Sequence, residues 1–174
     1  LPGQSVIYDM MRDSNVLNKP IYVKKSKTIP LSDLPGATGE QLVGAEKFEY
    51  TAANGMILLK SQAKAKIASI TGMSQPLTYY NFATYDKYDS KGRLLQKADR
   101  SGLQTCYVWG YEGLCPVAEV VGTDYSAIQE ITNRVEPLST NFTSAQEASL
   151  RQLDGVFVTT FVYDPYVGVT KVTD

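Results

Sequence analysis

A chain of 174 residues with 43% hydrophobic and 20% charged residues can bury a core without metal or disulfide support, and it has neither a disordered nor a coiled-coil composition. Its net charge of −1 gives no electrostatic reason to expect nucleic acid or an anionic membrane as partner. Twelve tyrosines stand beside no histidine at all, which removes the commonest general base, metal ligand and pH switch together.

In chain order, Val6 to Leu17 reads as a short helix or an irregular lead-in, and Pro20-Ile21-Tyr22-Val23 as extended chain. Residues 30–39 are a loop by composition. Lysines gather at Lys19, Lys24, Lys25 and Lys27 and again at Lys60, Lys64 and Lys66, a pattern expected of solvated strand edges. Phe48 to Lys60 forms a strand–turn–strand cassette in which Asn54-Gly55 supplies the two positive-φ centres of a type I′ hairpin. Lys64 to Ile70 alternates as a strand would, and Thr71 to Pro76 breaks the pattern.

Tyr85 to Lys97 is the second cassette, its turn Asp89-Ser90-Lys91-Gly92 placing glycine in the left-handed position. Gln104 to Tyr111 is a strand, and Cys115 to Val121 its returning partner, with Pro116 expected at a strand start or an edge. Tyr125, Ile128, Ile131 and Val135 fall at helical spacing after a cap at Thr123 or Asp124. Ser144-Ala145-Gln146-Glu147 is a capping-box pattern opening a second short helix. Residues 124–154 are therefore read as a helical hairpin inserted between strands. Phe161 to Val172, turning at Gly168, is a third and weaker cassette.

These residues resemble a known family. Tyr88-Asp89-Ser90-Lys91-Gly92-Arg93-Leu94 is similar to the YD repeat, and Tyr107 to Tyr111 with Pro116 to Val120, then Thr159 to Thr170, resemble segments that recur in large Rhs-like proteins of Bacteroides-type bacteria. The resemblance is good over residues 82–174 and looser over 10–60. The first cassette departs from it, with Glu49-Tyr50 and Asn54-Gly55-Met56 where a full repeat offers Tyr-Asp and Gly-Arg. The resemblance implies a mainly β (α+β) fold, a twisted antiparallel sheet of YD-type hairpins forming an open or partial shell. It also implies an exported bacterial protein, at the outer surface or secreted, of which this chain is one piece. One domain is expected over 1–174, with a lead-in and first strands (1–45), hairpin repeats (46–122), the helical insertion (123–154) and a final hairpin (155–174).

Chemistry-bearing residues are few. Asp86, Asp89 and Asp99, and Glu46 with Glu49, are read as turn-stabilising carboxylates rather than an acid/base pair or a calcium loop. Cys106 and Cys115 face each other if the hairpin turns near Gly110-Tyr111, so a cross-strand disulfide and two free thiols stand as equal alternatives. Tyr107, Trp109 and Tyr111 alternate around one turn, as sheet core or as a sugar-stacking platform. The expectation is a non-catalytic structural or interaction module without catalytic, cofactor or metal residues, whose partner is a protein or glycan and whose repeat edges allow self-association. The alternatives are a carbohydrate-binding module using the aromatic face and an Asp/Glu-based glycoside hydrolase.

Overall fold

A computed structural model describes residues 2–13, 19–30, 38–66, 77–132, 142–164 and 166–174. Its architecture is mainly β and antiparallel, as expected, with a few short helices. The chain divides into two compact units, Leu1–Thr84 and Tyr85–Asp174, so the hairpin block expected over 46–122 of a single domain is shared between them.

Unit 1 opens with helix α1, Pro2–Asp13, followed by strands β1 (Tyr22–Pro30), β2 (Thr38–Ala53), β3 (Met56–Ala65) and the first part of β4 (Tyr79–Tyr88). Pro30 and Thr38-Gly39 thus belong to strands rather than to the expected loop; residues 31–37 lie outside the described ones, as do 67–76. β1 to β4 pair in sequence order, every pair antiparallel. The β2–β3 turn is the one expected from its sequence: Asn54 and Gly55 have φ of 52° and 73°, the type I′ pair whose twist matches that of the strands. Met11, Leu42, Ala45, Ile57, Ala63 and Ala83 are buried, with α1 lying on β2. Lys24, Lys25 and Lys27 occupy β1, which pairs only with β2 among the described strands, where lysine discourages further pairing. Lys64 does not fit the edge reading, because it is paired on both sides, with Glu46 of β2 and Tyr80 of β4.

Unit 2 holds the end of β4, then β5 (Leu94–Asp99), β6 (Gln104–Gly110), β7 (Cys115–Val121), helices α2 (Tyr125–Thr132) and α3 (Ser144–Arg151), β8 (Phe157–Asp164) and β9 (Gly168–Thr173). Its core is set by the register. Cys106, Val120 and Val158 are direct cross-strand partners in one row, and Val108, Ala118 and Thr160 form another; all six are buried. Tyr125 and Ile128 of α2 and Leu150 of α3 complete that cluster. The helices expected within 124–154 are both present, while 133–141 lies outside the described residues.

Both helix starts are built by capping. Asp124 Oδ1 accepts from the Ser126 and Ala127 amides, making it, rather than Thr123, the cap of α2. The capping box of α3 sits one residue earlier than its sequence suggests: Thr143 Oγ1 accepts from Gln146 N, and Gln146 Oε1 from Thr143 N. Pro116 pairs with Trp109 of β6 and stands near the start of β7, before the β7–β8 ladder begins at Ala118, the strand-start position expected of proline.

Candidate functional site

The carboxylates nearest the resemblance are committed to turns. Asp89 N–H donates to the Arg93 carbonyl (3.0 Å) and Gly92 N–H to the Asp89 carbonyl (3.1 Å). Asp89 Oδ1 accepts from Lys91 N and Arg93 N, both at 2.9 Å. Ten residues on, Asp99 repeats the set: its N–H donates to Leu103 (3.0 Å), Gly102 N–H donates back to it (3.1 Å), and Oδ1 accepts from Ser101 N and Leu103 N (2.8 and 3.0 Å). Gly92 and Gly102 have φ of 80° and 88°, where a side chain would be strained. The Ser101 hydroxyl and backbone bonds hold the Asp99 carboxyl below the usual range.

The first turn carries one group the second lacks. Arg93 Nε donates to Asp89 Oδ2, and the two side chains retain 13% and 1% of their accessible surface. The guanidinium passes against Gly113, where a Cβ would stand 1.2 Å from Arg93 Nη1. Sequence reading places Asp89, Gly92 and Asp99 in turns and misses this role of Arg93. The available signal is the spacing itself, Asp-x-x-Gly at 89–92 and 99–102.

The other expected carboxylates are not turn residues. Asp86 is exposed within β4. Glu46 and Glu49 lie mid-strand in β2, Glu46 accepting from Gln62 Nε2 (2.9 Å) and Glu49 from Lys47 Nζ (2.7 Å) and Ser61 Oγ (3.1 Å). The Lys47 bond, then Ser61, lowers the Glu49 pKa against the opposing effect of partial burial.

The aromatic trio does not form one platform. Tyr107 lies in a row with Glu119 and Thr159, and Lys97 Nζ stands 5.4 Å from its ring centroid. The Lys97–Tyr107 hydrogen bond raises the lysine pKa. Beyond Tyr107 the register shifts between Val108 and Trp109. Trp109 then packs against the buried cluster and donates from Nε1 to the Leu94 carbonyl (2.8 Å). Tyr111 also packs there, its hydroxyl donating to the Tyr163 carbonyl (3.1 Å) and accepting from Tyr163 N (3.0 Å).

The disulfide alternative is corrected. Both cysteines are free thiols, because the β6–β7 reversal comes later than Gly110-Tyr111. Tyr111, Glu112 and Gly113, with φ of 50°, 58° and 81°, make the turn, so Cys115 pairs with Gly110 and Cys106 with Val120. Four residues along a strand offset the two cysteine Cα atoms by about 13 Å at ~3.3 Å per residue, against the roughly 4–7 Å between Cα atoms that a disulfide spans. Gly110 serves close packing instead: a Cβ there would meet Val117 Cγ1 at 2.5 Å. Burial pushes the Cys106 thiol up to about 12.

Among the described residues, no group of three or more His, Cys, Asp or Glu side chains stands close enough to hold a metal ion, and no helix is long and apolar enough to cross a membrane. Comparison of the chain with family models, with curated proteins and with solved structures gives no match in any of the three.

Proposed function

We propose that this chain is a non-catalytic structural and interaction module of an exported YD-repeat (Rhs-like) protein, one whose hairpins build an open or partial shell and present a binding face. The observation that carries the reading is the paired Asp-x-x-Gly turn. Asp89 and Asp99 close successive hairpins with the same four hydrogen bonds, and the first turn lies inside the Tyr88-to-Leu94 segment on which the resemblance rests. Carboxylates engaged in this way serve chain reversal, whereas a glycosidase requires two aimed at one bond roughly 5–10 Å apart. A carbohydrate-binding role on the aromatic strands is the second reading, favoured by Tyr107 and the Lys97 ammonium near its ring, which lie on the face opposite to the buried one.

The test is a panel of polysaccharides assayed for released reducing ends and for binding, with folded Asp89→Asn and Tyr107→Ala variants beside the wild type. The module reading expects no hydrolysis and no binding that depends on Tyr107. Hydrolysis lost in folded Asp89→Asn overturns it in favour of an enzyme. Binding lost in folded Tyr107→Ala overturns it in favour of the aromatic site.

A further inference from the structure

Unit 1 carries a hollow of about 280 Å³ on the sheet formed by β1 to β4. Register explains why it is there. Val23, Glu46, Lys64 and Tyr80 are successive direct partners across the four strands, and Lys25 and Gly44 form the neighbouring partner pair, so all six share one face. Gly44 contributes no side chain to the floor. A Cβ built there would meet nothing closer than Lys25 Cβ and Cδ at 3.8 Å, which is ordinary contact. The glycine is therefore not imposed by crowding, and its φ is not positive. What it leaves is space.

The charges around that space are arranged in an unusual way. Glu46 and Lys64 stand directly opposite one another, the placement that normally gives a cross-strand ion pair. They do not form one. Glu46 instead accepts from Gln62 Nε2, and Lys64 Nζ sits 3.5 Å over the Phe82 ring. Lys25 adds a second ammonium to the lining, and Tyr80 a phenol. The unit as a whole is cationic, with nine Lys and Arg against six Asp and Glu in residues 1–84.

We propose that this hollow binds one acidic sugar unit, a polyol ring bearing a carboxylate. Two ammonium groups are suited to the carboxylate, and charge-assisted bonds of this kind are the stronger ones. Glu46 and Tyr80 are suited to ring hydroxyls, and Val23 with the uncovered backbone at Gly44 to the sugar's C–H face. The volume lies just under the roughly 300–1,000 Å³ typical of pockets for drug-sized ligands, which fits a single residue of a chain rather than a longer segment. The site stands apart from the hairpin-module role and from Trp109, and it fails or survives without them.

The probe is trigalacturonate, titrated calorimetrically at low salt into the full chain, with neutral galactotriose, sodium acetate and sodium sulfate as comparisons. Trigalacturonate is expected to bind at least tenfold more tightly than any of the three. Lys25→Gln should weaken it about tenfold, the scale of one lost charge-assisted bond. Gly44→Val, whose Cβ would meet Lys25 only at an ordinary contact distance, should fill the floor and abolish measurable binding, while Trp109→Ala should leave it unchanged. Circular dichroism checks each variant's fold, and Lys25→Gln carries the test if Gly44→Val does not fold. Galactotriose, acetate or sulfate binding as tightly as trigalacturonate, absence of binding, or undiminished binding in a folded Gly44→Val or Lys25→Gln protein would each overturn the proposal.

Discussion

Asp89 and Asp99 make a matched experiment inside one chain. Their turns share four hydrogen bonds to within 0.1 Å, and they differ in the residue after glycine, Arg93 in one and Leu103 in the other, and in the Ser101 hydroxyl that also donates to Asp99. Asp89→Ala removes three acceptor contacts and strands a guanidinium whose side chain is only 13% exposed. Removing one member of a buried ion pair costs about 3–5 kcal/mol. With a urea slope near 1.5 kcal/mol per molar, that lowers the unfolding midpoint by roughly 2–3 M. Asp99→Ala loses the equivalent turn bonds and the Ser101 hydroxyl's as well, but at an exposed site and with no buried charge left behind, so its midpoint should fall by less than half as much. The reporter is Trp109 fluorescence, from the chain's single tryptophan, whose indole is bonded to the Leu94 carbonyl next to Arg93. Arg93→Met added to Asp89→Ala removes the stranded charge and should recover part of the loss. Equal midpoint shifts for the two aspartates, or no recovery in the double variant, would refute the assignment of the difference to the buried pair.

Three further outcomes are expected from the same geometry. Thr143→Ala breaks the side-chain half of the α3 capping box, the bond from Gln146 N, and should cost about 1 kcal/mol, measured by the same urea titration. A thiol reagent should label half-buried Cys115 in the native protein and reach Cys106, buried and with its thiol pushed up to about 12, only on unfolding; an intact mass showing a disulfide would contradict both. Glu49, its carboxyl pKa lowered chiefly by Lys47, stabilises the folded chain above its unfolded value near 4.3. That contribution is lost as pH falls below about 4 through the folded pKa. Thermal melts between pH 7 and 2 should therefore show a shallower acid decline in Lys47→Met than in wild type.

The turns and helix starts are legible in the sequence because each depends on a few adjacent residues. Asn54-Gly55 and Gly92 announce positive φ, and the periodic apolar residues after Asp124 announce α2. What escapes is non-local. Gly110 looks like a turn residue, and only Val117 across the hairpin explains it; a turn placed at Gly110 wrongly faces the two cysteines. Lys64 resembles an edge lysine until its pairing with both Glu46 and Tyr80 is known. The Gly44 hollow is equally invisible beforehand, since it needs the four-strand register that lines up Val23, Glu46, Lys64 and Tyr80.

The same reasoning accounts for the departures from the Tyr-Asp…Gly-Arg-Leu pattern. A two-residue type I′ turn at Asn54-Gly55 has no position from which an aspartate can cap the i+2 and i+4 amides, so the first cassette has no use for the acid. Without that acid, an arginine after the glycine would have no partner, and Met56 stands there instead. In the last hairpin Asp164 still caps Tyr166 N (2.8 Å), yet Val169 comes after Gly168 and no buried pair forms. Aspartate therefore goes with the longer turn, and arginine only with the aspartate that the fold buries. The cassettes of this chain thus differ in turn length and in burial, and a functional site is better sought on the faces between the turns.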